Sequence, residues 1–349
     1  MEKQSNINKA VIIGAGTTTN NLIEYMKKIE IKFSDAFFLC LDNNSSLWNT
    51  KLDEVEISSV DEIRNYPDAD IVISSIYEKD IRKQLEEMNI NNFTMNYIDF
   101  KRMIFVDYQT KKYIAMHPCI KKRRKEKIRE LTVYTVIFNK YDLLREIIYP
   151  DKNIRYICFT DDKTLHSDTW EIHHVDRKFS DPVIESRWYK MMPHLFLDTK
   201  YSLYIDATIQ FKKSPLEFMN QYFDKGDMLF IPHEARDCIY EEMAVCILDN
   251  KELPYRLVRQ VDRYSESNCP EHSGLFLGGL IGRSHFEKEV IEFNNKWWEH
   301  FNQYSRRDQI SLGYLIWKSD MEISLANINL CNNIWFDVNE RHESGRKIV

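Results

Sequence analysis

Asp206 closes the apolar run 201–205. A carboxylate at the end of a buried strand stands where α/β sheets bind their ligands, and its oxygens suit a hard divalent cation. Arg187 and Lys190 are three residues apart, so on a helix they share one face. Arginine supplies a bidentate fork and lysine a point charge, a combination suited to an anionic group. His233, Glu234 and Arg236 follow another apolar run and precede a helical stretch, the kind of βα loop where sites gather. Asp308 offers a carboxylate able to orient a hydroxyl or take its proton. The stretch Ser305-Arg306-Arg307-Asp308 also has the spacing of a capping box, a purely structural use of the same acid. Glu241 and Glu242 open the next helix, where acids also serve the helix N-terminus. Trp188, Tyr189, Trp297 and Trp298 are able to stack on sugar rings or to fill a core.

The elements that must position these groups are legible as alternating apolar runs and amphipathic stretches. In the first hundred residues, 9–13, 35–41 and 71–75 read as strands, with helices near 18–29 and 79–88. Ser59-Val60-Asp61-Glu62 is a capping-box pattern that opens a short helix. Residues 101–130 read as less regular. From 131 onward, 131–138, 155–160, 201–205, 228–231 and 275–281 read as strands, and 142–148 as a helical turn or two. Helices are expected over 185–195, after Ser214-Pro215-Leu216-Glu217, after Ser284-His285-Phe286-Glu287 to about 303, and over 305–317. Alternation of this kind predicts parallel sheets with helices on their faces, hence an α/β fold.

Glycine is scarce. The chain has nine in 349 residues, where average usage would give roughly 24. Six of them fall at 14–16 and 274–282, which marks two places where the backbone turns sharply or a ligand comes close. VIIGAG followed by TTTNN reads as strand, tight turn and helix start, with Asp42 at the end of the second strand. It resembles the opening of a Rossmann-type nucleotide-binding domain, with Thr19 where the third glycine of G-x-G-x-x-G would stand. That departure argues against a bound NAD(P). The stretch also resembles small nucleotide-binding-like domains of bacterial polysaccharide enzymes and sugar acyltransferases.

A second resemblance covers roughly 131–320. In order it runs Cys158-Phe159-Thr160-Asp161, Arg187-Trp188-Tyr189-Lys190 with Pro193-His194, and Tyr204-Ile205-Asp206-Ala207. It continues with Pro232-His233-Glu234-Ala235-Arg236, Cys238-Ile239-Tyr240-Glu241-Glu242, Gly274-Leu275 and Arg307-Asp308-Gln309. This set is similar to the domain-of-unknown-function 616 family, glycosyltransferase-like proteins of the GT-A type. The resemblance implies a sheet that holds a nucleotide-sugar, usually with Mn²⁺ or Mg²⁺. It places Asp161, Arg187, Lys190, Asp206, His272, Gly274, Gly278 and Gly279 at the donor, with Asp206 as the metal ligand. It makes Asp308, Arg236 and His233 the catalytic candidates. The second acid of the D-x-D pattern is Thr208 here, which weakens the metal expectation.

The expected organisation is a Rossmann-like domain over 1–115, a basic linker over 116–130 and a glycosyltransferase-like domain over 131–349. The run Lys121-Lys122-Arg123-Arg124-Lys125 reads as a solvated linker, or as a docking element for an anionic membrane surface. A net charge of −6 argues against general nucleic-acid binding. No apolar run reaches transmembrane length. Seven scattered cysteines without a C-x-x-C pair fit reduced thiols, and so a cytoplasmic setting, with peripheral association at the inner face of the membrane. The expected function is transfer of a sugar from a nucleoside-diphosphate-sugar to a surface glycan of the capsule or lipopolysaccharide type, free or lipid-linked. Two other readings stand beside it. One is an NAD(P)-dependent oxidoreductase that modifies sugar nucleotides, the other a non-catalytic nucleotide-sugar-binding protein.

Overall fold

The computed structural model describes residues 9–117, 126–319, 321–330 and 332–339. The basic run 121–125 lies outside them. Two compact units divide the chain, Met1–Tyr108 and Gln109–Val349. Among the described residues, no helix is long and apolar enough to cross a membrane.

The first unit is built on a six-stranded sheet of β1 (Ala10–Ile13), β2 (Phe37–Leu41), β3 (Lys51–Leu52), β4 (Val55–Ser58), β5 (Ile71–Ile73) and β6 (Thr94–Asn96), in the order β3-β4-β2-β1-β5-β6. All pairings are parallel except β3 with β4. The central strands β1 and β5 read as unbroken apolar runs because both their faces are covered. Ala10 and Ile12 pack into one core, Val11 and Ile13 into the core on the opposite face. After β1 the chain turns at Gly14, whose φ is +110°. A Cβ there would lie 2.5 Å from the Ser74 carbonyl oxygen, so only glycine fits. Thr19 takes the place of the third glycine without opening the packing. It is fully buried, and its hydroxyl donates to the Gly14 carbonyl, tying the helix Thr17–Lys28 to the turn.

The second unit holds a seven-stranded sheet. Its members are β7 (Leu131–Ile137), β8 (Ile154–Thr160), β9 (Glu171–His174), β10 (Ser202–Ile205), β12 (Met228–Pro232), β13 (Phe276–Arg283) and β14 (Ile323–Leu325). The order is β14-β12-β13-β10-β7-β8-β9. Six strands run the same way, and β13 runs against its neighbours β10 and β12. A separate ribbon pairs β11 (Ile209–Phe211) with β15 (Phe336–Val338). Tyr134 and Val136 feed the core on one face, Leu131, Val133 and Ile137 the core on the other.

The sequence expectation fails at three local points. Residues 142–148 are not helical. Their backbone groups bond to neighbouring segments instead: Ile147 N–H donates to Thr169 Oγ1, Trp170 Nε1 to the Arg145 carbonyl and Gln210 to the Glu146 carbonyl. Residues 101–116, part of the stretch 101–130 expected to be less regular, belong to one helix, Tyr97–Met116. The helix Lys288–Gln303 starts from Glu287 rather than from a Ser284 side-chain cap.

At the end of the sheet where β13 stops and β10 begins, Arg283 and His285 are fully buried. His285 Nδ1 lies 3.1 Å from Ser202 Oγ. Burial, reinforced by Arg283 and His194, pushes its pKa down to about 4. A histidine that stays neutral in the fold takes up its proton first in the unfolded chain. Its contribution is therefore intact above about pH 6.5 and is lost as pH falls toward 4, about 2 kcal/mol by pH 5. Urea unfolding at pH 7 and pH 5 should show this loss, and His285→Gln should reduce it.

Candidate active site

The helix Pro182–Met191 begins where Asp181 accepts a hydrogen bond from Val183 N–H at 2.8 Å and Pro182 sets the first turn. The buried Glu185 fixes the entry, since its Oε2 accepts from the Lys178 and Phe179 amides. This sets Arg187 and Lys190 one turn apart, and both reach Asp308. Lys190 Nζ bonds Asp308 Oδ2, and Arg187 Nε lies 3.3 Å from the same oxygen. Asp308 opens the helix Asp308–Lys318, where the helix dipole favours an acid. Its carbonyl accepts from Trp297 Nε1 and Ser311 Oγ, each at 3.0 Å. Ser305 does not form a capping box with it; Ser305 Oγ bonds Gln260 and accepts from Arg307 N–H. The carboxylate thus serves the charged cluster and not the helix end.

Asp206 follows β10 at the carboxyl end of the co-directional strands. Its backbone N–H donates to the Gly279 carbonyl, and its Oδ1 accepts from Tyr204 OH at 2.7 Å. Gly278 and Gly279 lie where β13 bulges: Leu229 pairs with Gly282, yet Ile231 pairs with Leu277. A Cβ at 278 would stand 2.7 Å from Lys190 Nζ, and one at 279 would stand 2.7 Å from Asp206 Oδ2. The two bare positions let a strand backbone lie directly against the charged side chains. Gly278→Ala should displace Lys190 and lower any reaction run at this cluster about a hundredfold in initial-rate assays, since misplacement by about 1 Å costs that much.

The electrostatics follow from this packing. Burial raises the Asp308 pKa, but Lys190 and Arg187 outweigh it and hold the carboxyl far below the usual carboxylate range. Such an acid is a weak proton acceptor, so orienting its neighbours is the role it suits. Burial is also the largest influence on Arg187 and opposes its charge. The negative charges of Asp308 first and then Asp206 oppose it, and the pKa is raised. Tyr204 is raised well above 10, by burial first and then by Asp206, so it keeps its proton and donates. Lys190 Nζ also lies 5.6 and 5.8 Å from the ring centroids of Tyr204 and Trp297, within cation–π range.

Arg187, Lys190, Asp206, Asp308, Gly278 and Gly279 are therefore one constellation. The other candidates form separate groups. His233 Nδ1 accepts from the Ala235 and Arg236 amides, and burial followed by Arg236 pushes its pKa down to about 4, so the ring is neutral at pH 7. The Arg236 guanidinium is held by nearly buried Glu242, with Nη2 2.7 Å from Oε2. His272 Nδ1 lies 2.6 Å from Asp237 Oδ1, Lys112 Nζ lies 3.0 Å from Asp237 Oδ2, and Gly274 N–H donates to the Asp237 carbonyl. Asp161 joins the ends of β7 and β8, accepting from Asn139 N–H and pairing with Arg177 at 3.2 Å. Sequence reasoning gave no role to Tyr204, Asp237 or Lys112. Tyr204 was findable, because alternation places it on the same strand face as Asp206.

For a metal, Asp206 stands outside the one cluster of three potential ligands among the described residues, Asp237, Glu241 and His272. In that cluster the Lys112 ammonium already sits on Asp237. Asp206 Oδ1 accepts from Tyr204 OH, which leaves Oδ2 as the oxygen without a hydrogen bond to Tyr204 that would serve an ion.

Residues 120–342, well over half of the chain, match the TOD1/MUCI70, glycosyltransferase-like domain. The chain belongs to this family. Residues 6–95 match the C2185-like, N-terminal family. Among solved structures, the WbbM bifunctional glycosyltransferase in its apo form is similar over 59% of this chain and 40% of its own, at 13% identity and a TM-score of 0.36. The chain thus spans well under half of that protein. No curated protein sequence matches. The matched residues, 120–342, take in the second unit's seven-stranded sheet and the residues of the charged cluster.

Proposed function

We propose that this TOD1/MUCI70 member transfers a sugar from a nucleoside-diphosphate-sugar to a surface-glycan acceptor of the capsule or lipopolysaccharide type, free or lipid-linked. It is read as a GT-A-type enzyme working in the cytoplasm, at or near the inner face of the membrane. The observation that carries the reading is the convergence of Arg187, Lys190 and Asp206 at the carboxyl edge of a mixed α/β sheet. When the bond from the sugar's anomeric carbon to the diphosphate oxygen breaks, negative charge grows on the leaving group. Preorganised cations at that point stabilise it without reorganisation. Arg187 and Lys190 supply them, and Asp308 holds both in place. Asp206 would hold Mn²⁺ or Mg²⁺ through one oxygen, the donor's phosphates completing the shell; such an ion neutralises the leaving diphosphate.

Gly278 and Gly279 form the wall on which the donor sugar lies, with His272 and Gly274 beyond it. Asp161 belongs to the donor side. Arg236 and His233 line the adjoining loop, where neutral His233 is a hydrogen-bond donor through Nε2 to the acceptor or a phosphate. The test is a thermal-shift screen of UDP-, GDP- and dTDP-sugars, each with and without Mn²⁺. At least one donor should raise the melting temperature by several degrees, more with the ion. No shift with any donor would contradict the reading.

A further inference from the structure

Arg283 is fully buried, yet its guanidinium is not held by an acid. Its Nε and Nη2 have no hydrogen-bond partner among the described residues, and its Nη1 donates to Tyr134 OH at 3.4 Å. The titratable groups that act on its charge are Tyr134 and Tyr204, and burial pulls its pKa below the usual guanidinium range. A buried charge without a counter-charge costs stability. A fold that keeps one at that cost has a use for it elsewhere.

Tyr134 links this cation to the charged cluster. Arg283 lies opposite Ser202 on β10, and Ser202 opposite Thr132 on β7, two residues before Tyr134. The small Ser202 side chain lets the guanidinium cross β10 to the Tyr134 hydroxyl. That hydroxyl donates in turn to the carbonyls of Tyr189 and Lys190, at 3.4 and 3.3 Å. Both carbonyls belong to the last turn of the helix Pro182–Met191. Pro193, four residues after Tyr189, has no N–H to offer the Tyr189 carbonyl, so the phenol takes that place. The same helix end is the negative pole of the helix dipole, which a cation complements. The Tyr134 ring also packs edge-on against Tyr204, with centroids 5.3 Å apart, and Tyr204 OH bonds Asp206. One phenol thus touches the supports of both Lys190 and Asp206.

We infer that Arg283 and Tyr134 are positioning residues for the cluster. The guanidinium occupies a lone pair of the Tyr134 oxygen, directs its proton at the helix end and so fixes Lys190 where it meets Asp308. Hydrogen bonds in such a chain strengthen one another. The effect on turnover rests on the donor-site reading, whereas the effect on the position of Lys190 does not.

The test uses the full chain as Tyr134→Phe, Arg283→Met and the double variant, each followed by crystal structure, donor kinetics and melting temperature. In both single variants Lys190 Nζ should shift by about 1 Å or more relative to Asp308 Oδ2. Their kcat should fall about tenfold or more, with the donor KM changed by no more than about threefold. Arg283→Met should melt no lower than the parent chain, because it removes an unpaired buried charge. The double variant should keep the kcat of Tyr134→Phe, since Arg283 acts through Tyr134, yet melt above it. A packing role alone would lower melting temperature and kcat together. The inference is overturned if Lys190 keeps its place in both single variants, if Arg283→Met loses melting temperature in step with kcat, or if the double variant multiplies the two losses. A parent chain that turned over no donor would sink the transferase reading alone, and the position of Lys190 would still decide this one.

Discussion

Lys190→Met is expected to reduce donor turnover by about a hundredfold to a thousandfold and to destabilise the fold by about 3 kcal/mol. The two losses have different origins. Lys190 is buried between the Tyr204 and Trp297 rings, and its ammonium bonds Asp308 Oδ2. Removing it leaves a buried carboxylate with Arg187 as its remaining partner, 3.3 Å away. That stranded charge accounts for the stability loss, whereas the turnover loss comes from the missing cation beside the leaving group. The double variant Lys190→Met with Asp308→Leu separates them. With both charges gone, part of the stability should return in urea unfolding, because a buried pair exchanged for apolar groups is close to neutral, while Arg187, 26% exposed on its side chain, loses its ion pair with Asp308. Turnover should stay low. If turnover returned with stability, Lys190 would be a structural residue only.

Asp206→Asn is expected to cost about a thousandfold in donor turnover with little change in melting temperature. Asparagine keeps an oxygen to accept from Tyr204 OH, and the backbone bond to the Gly279 carbonyl is untouched. What disappears is the negative charge. The response of turnover to Mn²⁺ should disappear with it, measured as initial rate against metal concentration. An unchanged metal response in the variant would move the ion elsewhere, with Asp237, Glu241 and His272 as the alternative ligands.

How much of this was readable from the chain depends on whether a residue's environment is local. The central strands were legible because each is buried on both faces and so is mostly apolar, as Val11 to Ile13 and Leu131 to Ile137 are. The placement of Asp206, Arg187 and Lys190 also follows from local rules, a strand end and a helix face. Their union with Asp308 does not. It joins positions 118 residues apart, and the capping-box spacing at Ser305 pointed to a different use of the acid. The helix Tyr97–Met116 was hidden because its apolar residues are spread round the axis and give little periodicity. Residues 142–148 misled in the opposite sense, since partners at Thr169, Trp170 and Gln210 are set by the tertiary fold. The glycines divide in the same way. Gly14 is dictated by its own φ and the Ser74 carbonyl, whereas Gly278 and Gly279 have meaning only against the side chains of Lys190 and Asp206.

The central claim is that the Arg187–Lys190–Asp206 cluster works on the diphosphate of a sugar donor. Release of nucleoside diphosphate from the donor that stabilises the chain tests it most directly, followed with Mn²⁺ for the parent chain, Arg187→Ala and Asp206→Asn. The predicted result is steady release by the parent chain, reduced by about a hundredfold or more in each variant with the fold retained. Release at the parent rate in both variants would contradict the claim.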